Sequence, residues 1–253
     1  IHTEKILETD KVKMEVGNLK GINSNLLYEV KQQVRNLKDK DLKSLDFIYS
    51  SKLLDTFEIS NPDYKIVNKS NIEVKLAEFR NELGIKTTKT PAAIKVVTPG
   101  LLHKTEQKMV LVGELTSEEI LEFTKIHDGQ DIVLQELAPD GLEVFIGINK
   151  DPQFGLVLVI GTGGIYAENY QDFKLGPVPI QKEDIIVILK QTKLYQLLTG
   201  FRGKYFDVEA LIDTIYKVTL MAQCIEDDIS SIDINPYIAQ KQGGMVVDLK
   251  VVV

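Results

Sequence analysis

The sequence is poor in several features that define other classes of protein. It has a single cysteine, Cys224, among 253 residues, so it can form neither an intrachain disulfide nor a zinc site built from several cysteines. We therefore expect a cytoplasmic, reducing environment, and the apolar neighbours of Cys224 predict that its thiol packs in the core. The sequence has no run of about eighteen apolar residues, which excludes a transmembrane helix.

The chain also lacks an excess of basic residues. Its 30 Lys and Arg and 37 Asp and Glu give a net charge of -7, whereas a nucleic-acid-binding domain typically carries a basic face. A nucleotide remains an acceptable ligand, because one local group of lysines with Mg²⁺ can hold a triphosphate in an acidic protein. The first residue is Ile1 and no apolar signal segment follows, so we expect the chain to have been cut from a longer one.

The hydrophobic pattern predicts a mixture of helices and paired strands. Helical spacing is found over residues 26–41, 44–57, 71–83, 182–191 and 208–223, and Thr116 with Glu119 forms a capping-box signal for a further helix. Strands are predicted at 64–67, 92–97, 108–115, 131–137, 142–149, 155–160, 232–239 and 245–252. Because hairpins dominate the centre and no dinucleotide glycine fingerprint follows the first strand, we predict an α+β fold with largely antiparallel sheets.

Two features of the first half suit phosphate chemistry. Lys95 interrupts the apolar strand 93–97, and it either points to water from an edge strand or is held in a cleft to meet a phosphate. His103 follows two leucines and precedes Lys104. A lone histidine is often structural, but an imidazole with a cation beside it could also accept a phosphoryl group.

The second half carries oxygen ligands and a glycine-rich turn. Glu143 is either an exposed strand residue or a carboxylate that orients a cation or a ribose. The turn 161–164 is either a plain turn or a loop whose N–H groups approach phosphate. If the turn 241–244 joins its flanking strands as a hairpin, Asn235 and Asp248 lie opposite each other. They would then suit Mg²⁺, although Asp248 could simply protect a sheet edge.

Taken in chain order, these motifs resemble the ATP-grasp domain of the ADP-forming acyl-CoA (acetyl-CoA) synthetases, a family akin to the nucleotide-binding part of succinyl-CoA synthetase. The resemblance extends from about Ser51 to Val253. It is carried by the segments 51–59, 94–97, 102–105, 135–137, 141–144, 150–155, 161–165, 200–203 and 233–236. The run 150–155 has no chemical role that we can derive, so its match to the family is evidence of kinship.

The resemblance implies a fold, ligands and residue roles. The fold would be an ATP-grasp fold whose subdomains, 44–130 and 131–253, enclose a nucleotide cleft, preceded at 1–43 by a linker or the helical tail of another domain. The ligand would be ATP or ADP with Mg²⁺. The implied roles are phosphoryl relay for His103, phosphate contact for Lys95, the adenine hinge for Gln135, Glu136 and Leu137, the ribose for Glu143, Mg²⁺ for Asn235 and Asp248, and further nucleotide contacts for Lys104, Gly163, Gly164 and Lys174.

The implied reaction is the reversible conversion of acyl-CoA, ADP and phosphate into acid, CoA and ATP through a phosphohistidine. The CoA-binding and acyl-phosphate-forming domains would lie on the same longer chain or on a partner subunit, in an oligomeric enzyme. Two departures from the family weaken the expectation of turnover but not that of nucleotide binding. Residues 107–110 lack the Gly-Gly pair of the family, and Lys174 replaces an arginine and its bidentate fork. The missing Gly-Gly pair favours an alternative. The alternative is a nucleotide- or acyl-CoA-sensing regulatory domain fused to a lysine acetyltransferase.

Overall fold

The computed structural model describes residues 24–40, 42–97, 109–164 and 172–253. The chain forms two compact units. The small unit is Pro62–Ala138, and the large unit combines the segment that ends at Asn61 with Pro139–Val253. This division differs from the predicted one at residues 44 and 131. The segment 44–61 folds with the C-terminal part, because Ser44 forms a β-bridge with Val252, and the strand at 132–136 pairs within the first sheet.

The helices and strands alternate irregularly along the chain. The helices are α1 (Ser24–Asp39), α2 (Phe47–Thr56), α3 (Ile72–Glu82), α4 (Ser117–Ile126), α5 (Lys182–Leu189), α6 (Lys193–Leu198) and α7 (Val208–Cys224). The strands are β1 (Tyr64–Val67), β2 (Lys89–Val96), β3 (Val110–Thr116), β4 (Ile132–Glu136), β5 (Leu142–Asp151), β6 (Gly155–Thr162), β7 (Phe173–Pro177), β8 (Ser231–Ala239), β9 (Gly244–Val246) and β10 (Leu249–Val252). Short 3-10 turns lie at Phe201–Gly203 and Glu226–Asp228.

The small unit is a four-stranded antiparallel sheet with helices on one face. The strand order is β1-β4-β2-β3. Ile94 and Leu134 lie in one buried cluster with Leu76 of α3 and Ile120 of α4, so these two helices cover that face. The predicted capping box opens α4: Glu119 N–H donates to Thr116 Oγ1 at 3.2 Å, and Thr116 N–H donates to the Glu119 carboxylate at 2.8 Å.

The large unit is a six-stranded antiparallel sheet in the order β10-β8-β5-β6-β7, with β9 pairing to β8. Its core face carries the fully buried Ile146 of β5 and Ile234 of β8, which cluster with Leu211 and Ile215 of α7. Successive side chains of a strand point to opposite faces. The other face of this sheet therefore carries the residues between the core positions, and these include several of the predicted site residues.

Asp207 ties the start of α7 to the turn after β8. Its carboxylate accepts hydrogen bonds from Ala210 N–H at 3.0 Å and Gly243 N–H at 2.9 Å. The Gly243 hydrogen bond, followed by that of Ala210, holds the pKa of this carboxyl below its usual range. We expect Asp207→Ala to lower the free energy of unfolding by about 1–2 kcal/mol at neutral pH, the usual cost of losing a helix cap.

This loss should depend on pH. Because the folded pKa of Asp207 is lowered, the stabilisation by its carboxylate is complete above the unfolded pKa and disappears as the pH falls through the folded pKa. Urea unfolding of the wild-type and Asp207→Ala chains should therefore give free energies that converge in acid. Asp207→Asn, which keeps an oxygen acceptor without a charge, should retain part of the cap. A difference between wild type and Asp207→Ala that is constant with pH would contradict the role of the ionised carboxylate.

Candidate functional site

In the small unit, Lys95 and Gln135 are neighbours on the sheet face opposite the one that α3 and α4 cover. Lys95 lies opposite Val133, and Ala93 lies opposite Gln135. Directly opposed residues share a face, so Lys95 and Gln135 are diagonal neighbours, typically about 7–8 Å apart. Both are buried, with 7% and 2% of their surface exposed. The alternative that Lys95 points to water from an edge strand is therefore wrong, because β2 is an interior strand.

The predicted hinge, Gln135 to Leu137, lies at the end of β4. The Glu136 N–H donates to Asp63 O at 2.8 Å, whereas the Leu137 N–H reaches Pro91 O only at 3.4 Å. The second distance is longer than a typical N–H···O bond. Of these two backbone N–H groups, that of Leu137 is thus the more available to a ligand.

In the large unit, Glu143, Gly163, Gly164 and Asn235 meet at one end of the sheet. The Gly163 N–H donates to Glu143 O at 2.9 Å, and the Gly164 N–H donates to Asn235 Oδ1 at 3.4 Å. Gly164 has φ of +63°, and a Cβ at this position would lie 1.6 Å from Glu143 Oε2. The left-handed backbone therefore favours glycine here, and the Glu143 carboxylate occupies the space that a side chain would need.

Asn235 and Asp248 are also adjacent. The Asn235 N–H donates to Asp248 O at 3.3 Å, and the Val247 N–H donates to Pro236 O at 3.0 Å. The predicted continuous strand 245–252 is wrong in one detail, because β9 ends at Val246 and β10 begins at Leu249. Both strands pair with β8. Asp248 lies in the interruption, beside Asn235.

Asn235 and Asp248 supply an amide oxygen and a carboxylate, the ligand types used by a divalent cation that binds few protein groups. Asn235 is exposed and Asp248 is half-buried, so water and phosphate oxygens could complete the coordination, as Mg²⁺ prefers. The Asn235 carbonyl oxygen has two lone pairs, and its hydrogen bond with Gly164 uses one of them. Over residues 24–40, 42–97, 109–164 and 172–253, no cluster of three or more His, Cys, Asp or Glu could hold a metal.

Lys174 is not brought together with this group. It lies opposite Ile160 in the β6–β7 pairing, and the Ile160 side chain is in the core. Lys174 therefore belongs to the core-facing side of the sheet, whereas Glu143 and Asn235, each next to a core residue, belong to the other side. Its contact with a nucleotide stays a prediction. His103 and Lys104 lie outside the described residues.

Asp233 was missed as a neighbour of the group. It precedes Asn235 by two residues on β8 and lies opposite Lys250 of β10. Burial raises the pKa of the Asp233 carboxyl, while the charge of Lys250 and a hydrogen bond with Ser231 oppose this shift. The period of two along the strand would have placed Asp233 on the same face as Asn235.

These observations define an ATP-grasp domain. The ATP-grasp domain model matches residues 36–253. Within this class, the chain belongs to the family of ADP-forming acetate–CoA ligases. It is 30% identical over 215 residues to subunit beta of acetate–CoA ligase [ADP-forming] I from Pyrococcus furiosus, and 28% identical over 217 residues to that of ligase II. Each match covers 80% of this chain and 89% of the relative.

A solved structure has the same fold. It is the dinucleotide-forming acetyl-coenzyme A synthetase 1 of Ca. Korarchaeum cryptofilum in complex with coenzyme A and Mg-AMPPCP, and its phosphohistidine segment points towards the nucleotide-binding site. The TM-score is 0.73 at 28% identity, over 88% of this chain and 99% of that one. The predicted ATP-grasp fold is thus confirmed. In the described part of the chain, no helix is both long and apolar enough to cross a membrane.

Proposed function

We propose that this chain is the nucleotide-binding, phosphoryl-transfer part of an ADP-forming acyl-CoA synthetase, an acid–CoA ligase. The complete enzyme converts acyl-CoA, ADP and phosphate reversibly into acid, CoA and ATP. The observation that carries the proposal is the convergence of Glu143, Gly164, Asn235 and Asp248 at one end of the large unit's sheet. A backbone N–H, an amide oxygen and carboxylates at one place suit a metal-bound polyphosphate.

Asn235 and Asp248 would hold Mg²⁺, which neutralises phosphate charge and orients the transferred group when it is bound. The relative solved with Mg-AMPPCP supports this choice of metal. The Gly164 N–H lies 3.4 Å from Asn235 Oδ1. This distance is longer than a typical N–H···O bond, so the amide oxygen stays available to the metal. Glu143, which packs against the same glycine, contacts the ribose in this proposal.

The small unit supplies the remaining contacts. Lys95 places a positive charge on a buried sheet face, where an ammonium is best stabilised by an anion such as an α- or β-phosphate. Gln135, Glu136 and Leu137 contact adenine, and the Leu137 N–H donates to a ring nitrogen. Catalysis by these residues consists of positioning and charge neutralisation, which are the main requirements of phosphoryl transfer.

His103 carries the phosphoryl group between nucleotide and acyl phosphate, with Lys104 beside it to screen the charge. The phosphohistidine segment of the solved relative supports this assignment. CoA-binding and acyl-phosphate-forming domains complete the enzyme from a partner subunit or the same longer chain. We place the reaction in the cytoplasm, because a chain with one cysteine needs no oxidising compartment.

Calorimetric titration with ADP and ATP, with and without Mg²⁺, tests the proposal. We expect binding in Mg²⁺ that weakens at least about tenfold in EDTA, because the metal links the phosphates to Asn235 and Asp248. The absence of binding at millimolar nucleotide would contradict the proposal. Normal Mg-nucleotide binding without turnover, once the CoA-binding domains are added, would favour the regulatory alternative suggested by residues 107–110.

A further inference from the structure

The turn between α6 and α7 is fixed by its own backbone. Thr199 and Tyr205 form a β-bridge, and the Phe206 N–H donates to Leu198 O at 2.9 Å. Within the turn, the Gly203 N–H donates to Gly200 O at 3.1 Å. We name residues 199–205 the aromatic turn. Its residues 201–205 are all exposed, so a well-defined backbone presents the side chains of Phe201, Arg202, Lys204 and Tyr205 to solvent.

The exposed side chains are of the types that dominate protein interfaces. Phe201 is 52% exposed and Tyr205 is 64% exposed, and the Arg202 guanidinium lies 5.3 Å from the centre of the Phe201 ring. The Tyr205 ring packs on Gly200, where a Cβ would come within 2.9 Å of it. Tyrosine, phenylalanine and arginine are enriched in interfaces, and tyrosine and arginine also in their energetic hot spots.

Arg202 has a left-handed backbone in the middle of the turn. Its φ is +53° and its ψ is +33°, a left-handed conformation that glycine adopts at lower cost. Gly200 and Gly203 already occupy positive-φ positions in the same turn. An arginine at the strained position, with its side chain on the surface over a neighbouring ring, gains little within this chain. Its side chain is better explained by a contact outside the chain.

The segment that contains the turn is basic. From Lys190 to Lys204 the sequence holds four cations, Lys190, Lys193, Arg202 and Lys204, and no Asp or Glu, in a chain of net charge -7. All four are exposed. Exposed cations of this kind orient an oppositely charged partner.

The aromatic turn is also separate from the nucleotide residues. Leu194 and Leu198 of α6 are fully buried in the same core as Val144 and Ile160, so α6 packs on the core face of the sheet. Glu143 and Asn235 belong to the other face. The aromatic turn therefore does not belong to the group formed by Glu143, Gly164, Asn235 and Asp248.

We propose that the aromatic turn binds the polypeptide that carries the CoA-binding domains, through an acidic surface of that polypeptide. This rests on the proposed function, because a nucleotide-binding part of the synthetase acts only with those domains. Relatives of this chain that are named as one subunit of a ligase agree with such a partner. The net charge of -7 disfavours a nucleic acid as the occupant.

Arg202→Gly is the sharpest test, because glycine keeps the left-handed backbone and removes the side chain. In calorimetry with the purified CoA-binding polypeptide, we expect the Kd to rise about tenfold or more for Arg202→Gly and for Phe201→Ala. Arg202→Glu should bind more weakly still. The matched control is Lys241→Gly, which removes an exposed cation from another turn of the same unit and should leave the Kd unchanged.

Several results would overturn the docking proposal. One is an unchanged Kd for Arg202→Gly and Phe201→Ala. Another is an Arg202→Glu chain that binds the partner as well as Arg202→Gly does. The third is a wild-type chain that binds a single-stranded oligonucleotide instead of the partner, with the variants losing that binding. Mg-ADP binding is measured on the same preparations. Variants that bind Mg-ADP normally but have an unchanged partner Kd would refute the docking surface alone, whereas a wild-type chain that fails to bind Mg-ADP would refute the proposed function.

Discussion

Asp248→Ala is expected to weaken Mg-ADP binding by about 100-fold. Loss of residues that only support a metal ligand costs about 10–100-fold in affinity, so removing one of the two proposed protein ligands should reach at least the upper end. A factor of 100 corresponds to about 2.7 kcal/mol. The fold should survive, because the contact between Asp248 and Asn235 joins the main-chain N–H and C=O groups of the two residues, which the substitution leaves in place.

The dependence on metal makes this prediction specific. In EDTA, wild-type and Asp248→Ala chains should bind ADP equally weakly, and the deficit of the variant should shrink as the Mg²⁺ concentration rises. In Mg²⁺, Asp248→Asn keeps an oxygen but loses the charge, so its affinity for ADP should lie between those of the wild-type and Asp248→Ala chains. Asp184→Ala is a suitable control, because Asp184 is an exposed carboxylate in the first turn of α5. If Asp248→Ala binds Mg-ADP like wild type at low Mg²⁺, Asp248 is not a metal ligand.

Local patterns in the sequence predicted the regular elements well where the pattern was clear. Strand β1 has the predicted limits, and the capping box at Thr116 is present. Two of the described elements were missed because their local patterns are weak. Strand β7 has five residues that include Gly176 and Pro177, and it shows no clear alternation of buried residues. Helix α6 has six residues, too few for a helical period to be recognised.

The boundaries of the two units could not be read from local patterns, because they depend on contacts that are distant in sequence. Leu45 N–H donates to Val251 O, and this pairing of residues about two hundred positions apart leaves no local signal. The placement of Lys174 has a similar cause. A shift of one residue in strand register moves a side chain to the opposite face of a sheet. The resemblance identified Lys174 by its position in the sequence, but it did not give the strand register that places Lys174 opposite Ile160.

The adjacency of Asn235 and Asp248 was predictable because one short connection controls it. The glycine-rich residues 241–244 bring the following segment back along β8, and Tyr237 pairs with Val246. Asn235 precedes Tyr237 by two residues and Asp248 follows Val246 by two. The antiparallel pairing therefore brings Asn235 and Asp248 next to each other. The sequence did not predict the interruption of the strand at Val247 and Asp248. That interruption places the aspartate outside β9 and β10 while its carbonyl stays hydrogen-bonded to Asn235.

The largest effect on turnover is expected from His103→Ala. If the phosphoryl group passes through His103, no phosphorus–nitrogen bond can form without the imidazole, and the two half-reactions are uncoupled. We expect overall synthesis of ATP from acyl-CoA, ADP and phosphate to fall at least about a thousandfold, as for loss of other covalent nucleophiles. Binding of Mg-ADP should change little, because the proposed ligands Asn235 and Asp248 and the buried Lys95 are retained.

The chain offers a matched control for this substitution. Of its 3 histidines, His127 lies at the end of α4 with its ring centre 4.6 Å from that of Phe123, where it packs on a neighbouring side chain. With the CoA-binding polypeptide present, γ-labelled ATP and Mg²⁺ should place an acid-labile, alkali-stable phosphate on wild-type and His127→Ala chains but not on His103→Ala. A His103→Ala chain that still synthesises ATP at the wild-type rate would exclude a relay through this residue. A labelled but inactive His127→Ala chain would point instead to loss of packing at α4.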